Sequence, residues 1–441
     1  MIKRALNTLT ASHAITAASQ LSRTAYVLLM LVLVPVFLTG AEQGYWFSFM
    51  SFSALMIIAD SGFSTIILQF AAHEFAFLKF NQAGDLEGDA ERLRRLGGFF
   101  LFALKWSAGV AAAALPLIAG IGWTIMSRRP PEADWQAPWL LYMLGSVFAF
   151  MNNGLLYFFE GCDSVPKTQK IRAQMNAAMI AALVLGLAGG MKLYALAFAA
   201  FAGAAVAAAG LYAVFGRAAA ALLSAAKDCA HSWRGEFLPL LGKYSLSWAS
   251  GYFIFQMYTP IMFHFYGPVA AGKIGISITL WTGVLTLSNI WLSVVTPKMN
   301  MHISKKEWGS LDRLFFRNLG LSAGTFFFGA VCAFSLLGAA RGHFAFADRF
   351  LDLVPMLFLA AGWGLQVVVN GLAIYLRAHK EEPLVVPSVV SAVYIIAATW
   401  LSAVFLSPDY FFLGFFSSYL WGLPWVVQIF NKKRREGHSA A

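Results

Sequence analysis

The stretch Leu193–Phe215, LYALAFAAFAGAAVAAAGLYAVF, carries no charged side chain. As a helix rising 1.5 Å per residue it is long enough to cross the roughly 30 Å hydrocarbon core of a bilayer. Its centre, Ala199–Gly210, is built from small residues, as is Ala111–Ala114 upstream. Small side chains let helices approach closely inside lipid. Runs of the same kind recur on both sides. Upstream they are Ser22–Leu38, Tyr45–Phe75, Leu96–Met126, Trp139–Phe159 and Met175–Gly190. Downstream they are Leu238–Phe263, Ile274–Val295, Leu314–Leu337, Leu351–Tyr375, Val385–Phe405 and Phe411–Phe430. The reading is an all-α polytopic membrane protein of about twelve transmembrane helices. The close pair around Gly189-Gly190 leaves a tilted or re-entrant arrangement open.

Composition agrees. Apolar residues make up 59% of the 441-residue chain and charged residues 12%. Soluble domains run at roughly 45–50% and about 25%. So few charges cannot cover the surface of a soluble fold of this size. The net charge of +11 is spread over short loops and the tail Lys432-Lys433-Arg434-Arg435. That pattern suits an anionic inner leaflet and argues against nucleic acid.

Loop charge sets the orientation. Alternate loops carry Arg92, Arg94 and Arg95; Lys167, Lys170 and Arg172; Arg217, Lys227 and Arg234; Lys298, Lys305, Lys306 and Arg313; Arg377 and Lys380. The loops between them carry Arg128, Arg129, Lys192, Lys273, Arg341 and Arg349. With the termini, roughly twenty cations stand against about six, which places the richer side and both ends of the chain in the cytoplasm. The mixed, polar start from Met1 to Gln20 reads as leading into an uncleaved first helix.

The halves repeat weakly. Asn153-Gly154-Leu155 precedes Pro166 by the same interval that separates Asn370-Gly371-Leu372 from Pro383. Pro35 and Pro260 fall late in the first and seventh runs. Duplication of a six-helix unit follows, with lobes at 1–215 and 237–431, an amphipathic connection at 216–236 and a basic tail at 432–441. Because six is even, the pseudo-twofold axis runs along the membrane normal, which suits alternating access by rocking of two lobes. Pro35, Pro116 and Pro260 are candidate kinks.

Ionisable residues at depth are costly and so mark function. Arg23, Asp60, Lys105 and Asn153 form an expected polar layer in the inner half of the first lobe. Asn370 is the counterpart of Asn153. Two readings stand: an electropositive pocket for an anionic headgroup, or an Arg23–Asp60 salt bridge with Lys105 snorkelling. Asp60 is also a candidate for proton coupling. Glu74 ends the second run beside His73. Glu160 and Arg377 take equivalent places in the two halves, as an opposite-sign gate or as solvated end residues.

Other chemistry is excluded by pattern. No glycine loop followed by Lys and Ser or Thr offers a nucleotide cradle. Cys162, Cys229 and Cys332 are widely spaced and form neither a metal motif nor a disulfide framework. No large outer loop carries the paired acids a membrane glycosyltransferase needs. The reading requires no cofactor and no catalytic residue.

The segment Asp60-Ser61-Gly62-Phe63-Ser64-Thr65, running on to Gln69-Phe70-Ala71-Ala72, resembles bacterial polysaccharide flippases of the multidrug/oligosaccharidyl-lipid/polysaccharide exporter superfamily. The resemblance implies translocation of an oligosaccharide linked to undecaprenyl diphosphate across the inner membrane. It also implies a cationic cavity, for which Arg23, Lys105 and Lys243 are similar in type and depth. A polysaccharide polymerase and chain-length machinery would be the implied partners. A cation-coupled drug exporter of the same fold, or a membrane polymerase or ligase, are the alternatives.

Overall fold

A computed structural model describes residues 22, 25–81, 84–228, 231, 233–379 and 383–439. It is almost wholly helical. The helices are α1 (Ala25–Phe37), α2 (Gly40–Ser53), α3 (Met56–Asp60), α4 (Phe63–Phe75), α5 (Ala90–Met126), α6 (Gln136–Gly161), α7 (Val165–Ala188) and α8 (Tyr194–Ala225). They continue as α9 (Arg234–Phe255), α10 (Tyr258–Tyr266), α11 (Pro268–Ser304), α12 (Trp308–Ala340), α13 (Leu353–Ala378), α14 (Val385–Phe405) and α15 (Leu413–Ser439). Among the described residues, nine single helices are long and apolar enough to span a bilayer, and α2 to α4 make a further, bent span. Helices α1 and α9 stand where the first and seventh spans are expected.

The second run is not one continuous helix. It breaks after Asp60, where Ser61 and Gly62 are both left-handed (φ 51° and 79°), and resumes in α4 at an angle of 43°. Two successive left-handed residues cannot extend an α-helix, and only glycine takes that conformation without strain. The seventh run also divides, between α9 and α10. Pro260 therefore falls in the first turn of α10, where its missing N–H breaks no helical bond. Pro116, by contrast, lies inside an unbroken α5.

The chain forms two compact units, Met1–Ala249 and Ser250–Ala441. In the first, α7 and α8 form a full antiparallel hairpin, which resolves the arrangement at Gly189-Gly190. A Cβ on Gly186 would lie 2.9 Å from the Ala195 Cβ, and one on Gly203 would lie 2.4 Å from Met179 Cγ. The small residues thus set the close approach of the pair. Lys192, left-handed at the turn, reaches Glu42 at 2.9 Å. That hydrogen bond holds the Lys192 ammonium above the usual lysine range. Glu42 itself closes a capping box with Thr39 at the start of α2.

The mixed-charge connection after α4 folds as an antiparallel hairpin, β1 (Leu78–Phe80) with β2 (Leu86–Gly88), in the register Leu78↔Gly88 and Phe80↔Leu86. Helix α8 runs on to Ala225, so half of the segment expected as an amphipathic connection continues the sixth span. The alanine-rich run Ala218–Ala221 has high helix propensity, which carries the helix past Gly216. Trp233 and Phe237 are buried against Phe63, Phe99, Phe102 and Trp106 in the first unit. The boundary between the two compact units falls inside α9.

The second unit packs α11 to α15 around two apolar centres. One holds Leu292, Met299, Leu311, Phe315, Leu372, Tyr375 and Phe430. At the other, the buried Trp281 indole donates to Met356 Sδ at 3.4 Å, and the Leu351 amide donates to Ser277 Oγ at 3.0 Å.

Candidate functional site

The sequence candidates separate into three arrangements. Asp60 sits at the helix break. Its Oδ1 accepts from Ser64 Oγ at 2.8 Å, and its Oδ2 accepts from the Ser64 amide at 3.4 Å. The carboxylate therefore serves the first turn of α4, whose free N–H groups and positive end favour an anion. Arg23, its expected partner, lies outside the described residues, as does the side chain of Lys243.

Glu160 and Asn153 belong to a clamp centred on Arg172. The guanidinium donates from Nη1 to Asn153 Oδ1 at 2.7 Å and from Nε to Glu160 Oε1 at 3.2 Å. It lies over the Tyr157 ring at 4.8 Å. Thr168 and Gln169 also donate to Glu160, at 3.2 and 3.1 Å. The Glu160 side chain is 8% exposed, so it is enclosed rather than solvated. One arginine on α7 thus ties down three residues of α6. In sequence Arg172 reads only as a loop cation. Its spacing from Glu160 gives no sign of this contact, because the turn between α6 and α7 brings the two together.

Glu74 anchors a second cluster. Its side chain is 3% exposed and lies 3.0 Å from Arg92 Nη1 and 3.1 Å from Arg95 Nη2. Arg92 covers Phe77 and Arg95 covers Trp233. The cluster joins the end of α4 to the start of α5. In the second unit, Asp312 accepts from Arg434 Nε at 3.0 Å and from Tyr375 Oη at 3.1 Å. Asn370 Oδ1 accepts from Gln366 Nε2 at 2.7 Å, and Gln366 Oε1 accepts from Tyr419 Oη at 2.7 Å. Arg377 is exposed in the last turn of α13.

Lys105 differs from all of these. It lies about 22 Å along α5 at 1.5 Å per residue, in a helix long and apolar enough to span a bilayer. Its side chain is exposed and has no ion pair or hydrogen bond among the described residues. Asp60, Lys105 and Asn153 make no such contact with one another. Among the described residues the expected polar layer is therefore one free cation and two residues engaged with other partners. Among the same residues no cluster of His, Cys, Asp or Glu could hold a metal ion.

The chain shares its fold with solved transporters of the MOP superfamily, at 10–14% identity. A MurJ lipid II flippase in an inward closed conformation matches with a TM-score of 0.63 and 10% identity, covering 97% of this chain and 90% of the other. An inward-facing MATE-family multidrug resistance transporter of the MOP superfamily matches at 0.58 and 11%, covering 93% and 99%. The MATE multidrug transporter DinF-BH, in a ligand complex, matches at 0.57 and 14%, covering 96% of each chain. No protein-family model matches the sequence, and no curated protein does.

Proposed function

We propose that the protein is a flippase that carries an undecaprenyl-diphosphate-linked oligosaccharide across the bacterial inner membrane. The repeat unit would be that of an O-antigen, capsule or exopolysaccharide. Transport proceeds by alternating access between two related six-helix lobes, with both ends of the chain on the cytoplasmic side. No covalent bond changes. The protein replaces water around the charged headgroup while the polyprenyl tail stays in lipid, which lowers the barrier to crossing hydrocarbon.

The observation that supports this best is Lys105. A mid-helix ammonium without an acidic partner among the described residues suits an anionic headgroup and disfavours a cationic drug. A lipid II flippase among the structural neighbours supports a lipid-linked cargo. Asp60 is the coupling residue in this scheme. Its carboxylate holds the restart of a bent span, so neutralising it changes the forces at the bend.

Reconstitution of the purified protein into liposomes tests the proposal. A fluorescent undecaprenyl-diphosphate oligosaccharide should become accessible in the opposite leaflet, at a rate raised by a pH gradient. Asp60→Asn, with one acceptor oxygen in place of two, should still accept from the Ser64 amide and should lose the response to the gradient. Uptake of the cationic dye rhodamine 6G without movement of the lipid-linked sugar would favour the drug-exporter reading instead.

A further inference from the structure

Helices α5 and α12 share one packing register. Phe99, Ala103 and Ala114 are buried on α5, and Leu311, Phe315 and Phe326 are buried on α12. The three pairs are separated by a constant interval along the chain. The repeated Asn-Gly-Leu triplets fix the same register independently. A Cβ on Gly154 would first meet Ser107 Oγ, at 3.4 Å, and one on Gly371 would first meet Leu319 Cδ1, at 2.5 Å. Ser107 and Leu319 stand at that same interval.

In this register Lys105 corresponds to Arg317. Arg317 is not among the sequence candidates. It is exposed and makes no hydrogen bond or ion pair among the described residues. The face beyond each cation is open and finely built. Nothing lies within 4 Å of a Cβ placed on Gly109 of α5, or on Gly320 and Gly324 of α12. A surface meant only for acyl chains gains nothing from bare glycine. A face that admits a bulky headgroup does, because glycine lets a ligand come close to the backbone. Arg313, one turn earlier, is also exposed. Its counterpart in α5 is the apolar Leu101, so it has no repeat-related cation.

We infer that Arg317 is a second anion-contacting residue, the C-terminal unit's equivalent of Lys105, and that each unit carries its own contact for a diphosphate. The inference rests on the flippase reading, which supplies the identity of the anion. The two cations differ in chemistry. The planar guanidinium can fork across two phosphate oxygens, while the ammonium acts as a compact point charge.

The test is binding of farnesyl diphosphate to the purified full-length protein in neutral detergent. Arg317→Ala and Lys105→Ala should each weaken binding by about tenfold or more, as expected for loss of a charged hydrogen bond. Arg317→Lys should recover part of it, and Arg313→Ala, with the same net charge change, should bind as the wild type does. Inorganic pyrophosphate should compete, which assigns recognition to the headgroup. If Arg317→Ala and Arg317→Gln bind normally while Lys105→Ala does not, the inference fails and the flippase reading stands. If phosphatidylglycerol displaces the probe as well as pyrophosphate does, Arg317 is a lipid anchor and the inference is overturned. If the wild type binds rhodamine 6G and no farnesyl diphosphate, both readings fall together.

Discussion

Replacing Arg92 and Arg95 together by alanine is expected to destabilise the N-terminal unit by about 3–5 kcal/mol, the cost of leaving a buried charge without its partner. Thermal unfolding in detergent should show this as a fall in Tm on the order of 10 °C. The asymmetry of the cluster makes the prediction specific. Glu74 is 3% exposed, whereas each arginine side chain is 31% exposed. Removing the carboxylate lets two guanidinium groups turn to water. Removing the arginines leaves an enclosed carboxylate with only the exposed His73, 3.9 Å away, beside it among the described residues. Glu74→Gln alone should therefore cost much less, and adding it to the double arginine variant should restore most of the lost stability. Equal losses from Glu74→Gln and from the arginine pair would show that packing on Phe77 and Trp233, not charge, holds the joint.

Lys105→Glu should abolish surface polysaccharide while leaving the protein folded and inserted. The side chain has no partner to lose among the described residues, so substitution removes no internal contact there. Under the proposed function its effect falls on the cargo, where a carboxylate would oppose the diphosphate instead of attracting it. Lys105→Ala should lower transport by about 10- to 100-fold, the range for one charged hydrogen bond. Lys105→Arg should stay active, because charge and donor capacity are kept. Polymer assayed on cells complemented with each variant, with protein level measured alongside, reads this out. Full activity of Lys105→Glu would remove the residue from the cargo path.

Much of the fold is legible in the sequence because apolar length is a strong signal. Val385–Phe405 coincides with α14, and Trp139–Phe159 differs from α6 by a few residues at each end. Repeat signals also hold information beyond their first use, since Gly154 and Gly371 each contact the preceding helix of their own half. The break at Ser61-Gly62 escapes a hydropathy reading, although a Ser-Gly pair is a turn signal. The dip at Asp60-Ser61-Gly62 is only three residues long, so a window average runs straight through it. The charged residues are harder to read. Depth along a helix predicts that Asp60, Lys105 and Asn153 share a level, but contact depends on rotation about the helix axis as well. Rotation takes Asn153 to Arg172 and leaves Lys105 exposed. Arg317 gains its meaning only once the packed faces of α5 and α12 are aligned.

Transport of a diphosphate-linked sugar can be read from the lipid-linked oligosaccharides of cells in which the protein is deleted. Intact repeat units should accumulate in the inner leaflet, shielded from an impermeant glycan-modifying reagent, with surface polymer lost. Normal surface polymer and no accumulated intermediate, with heightened sensitivity to cationic drugs, would contradict it.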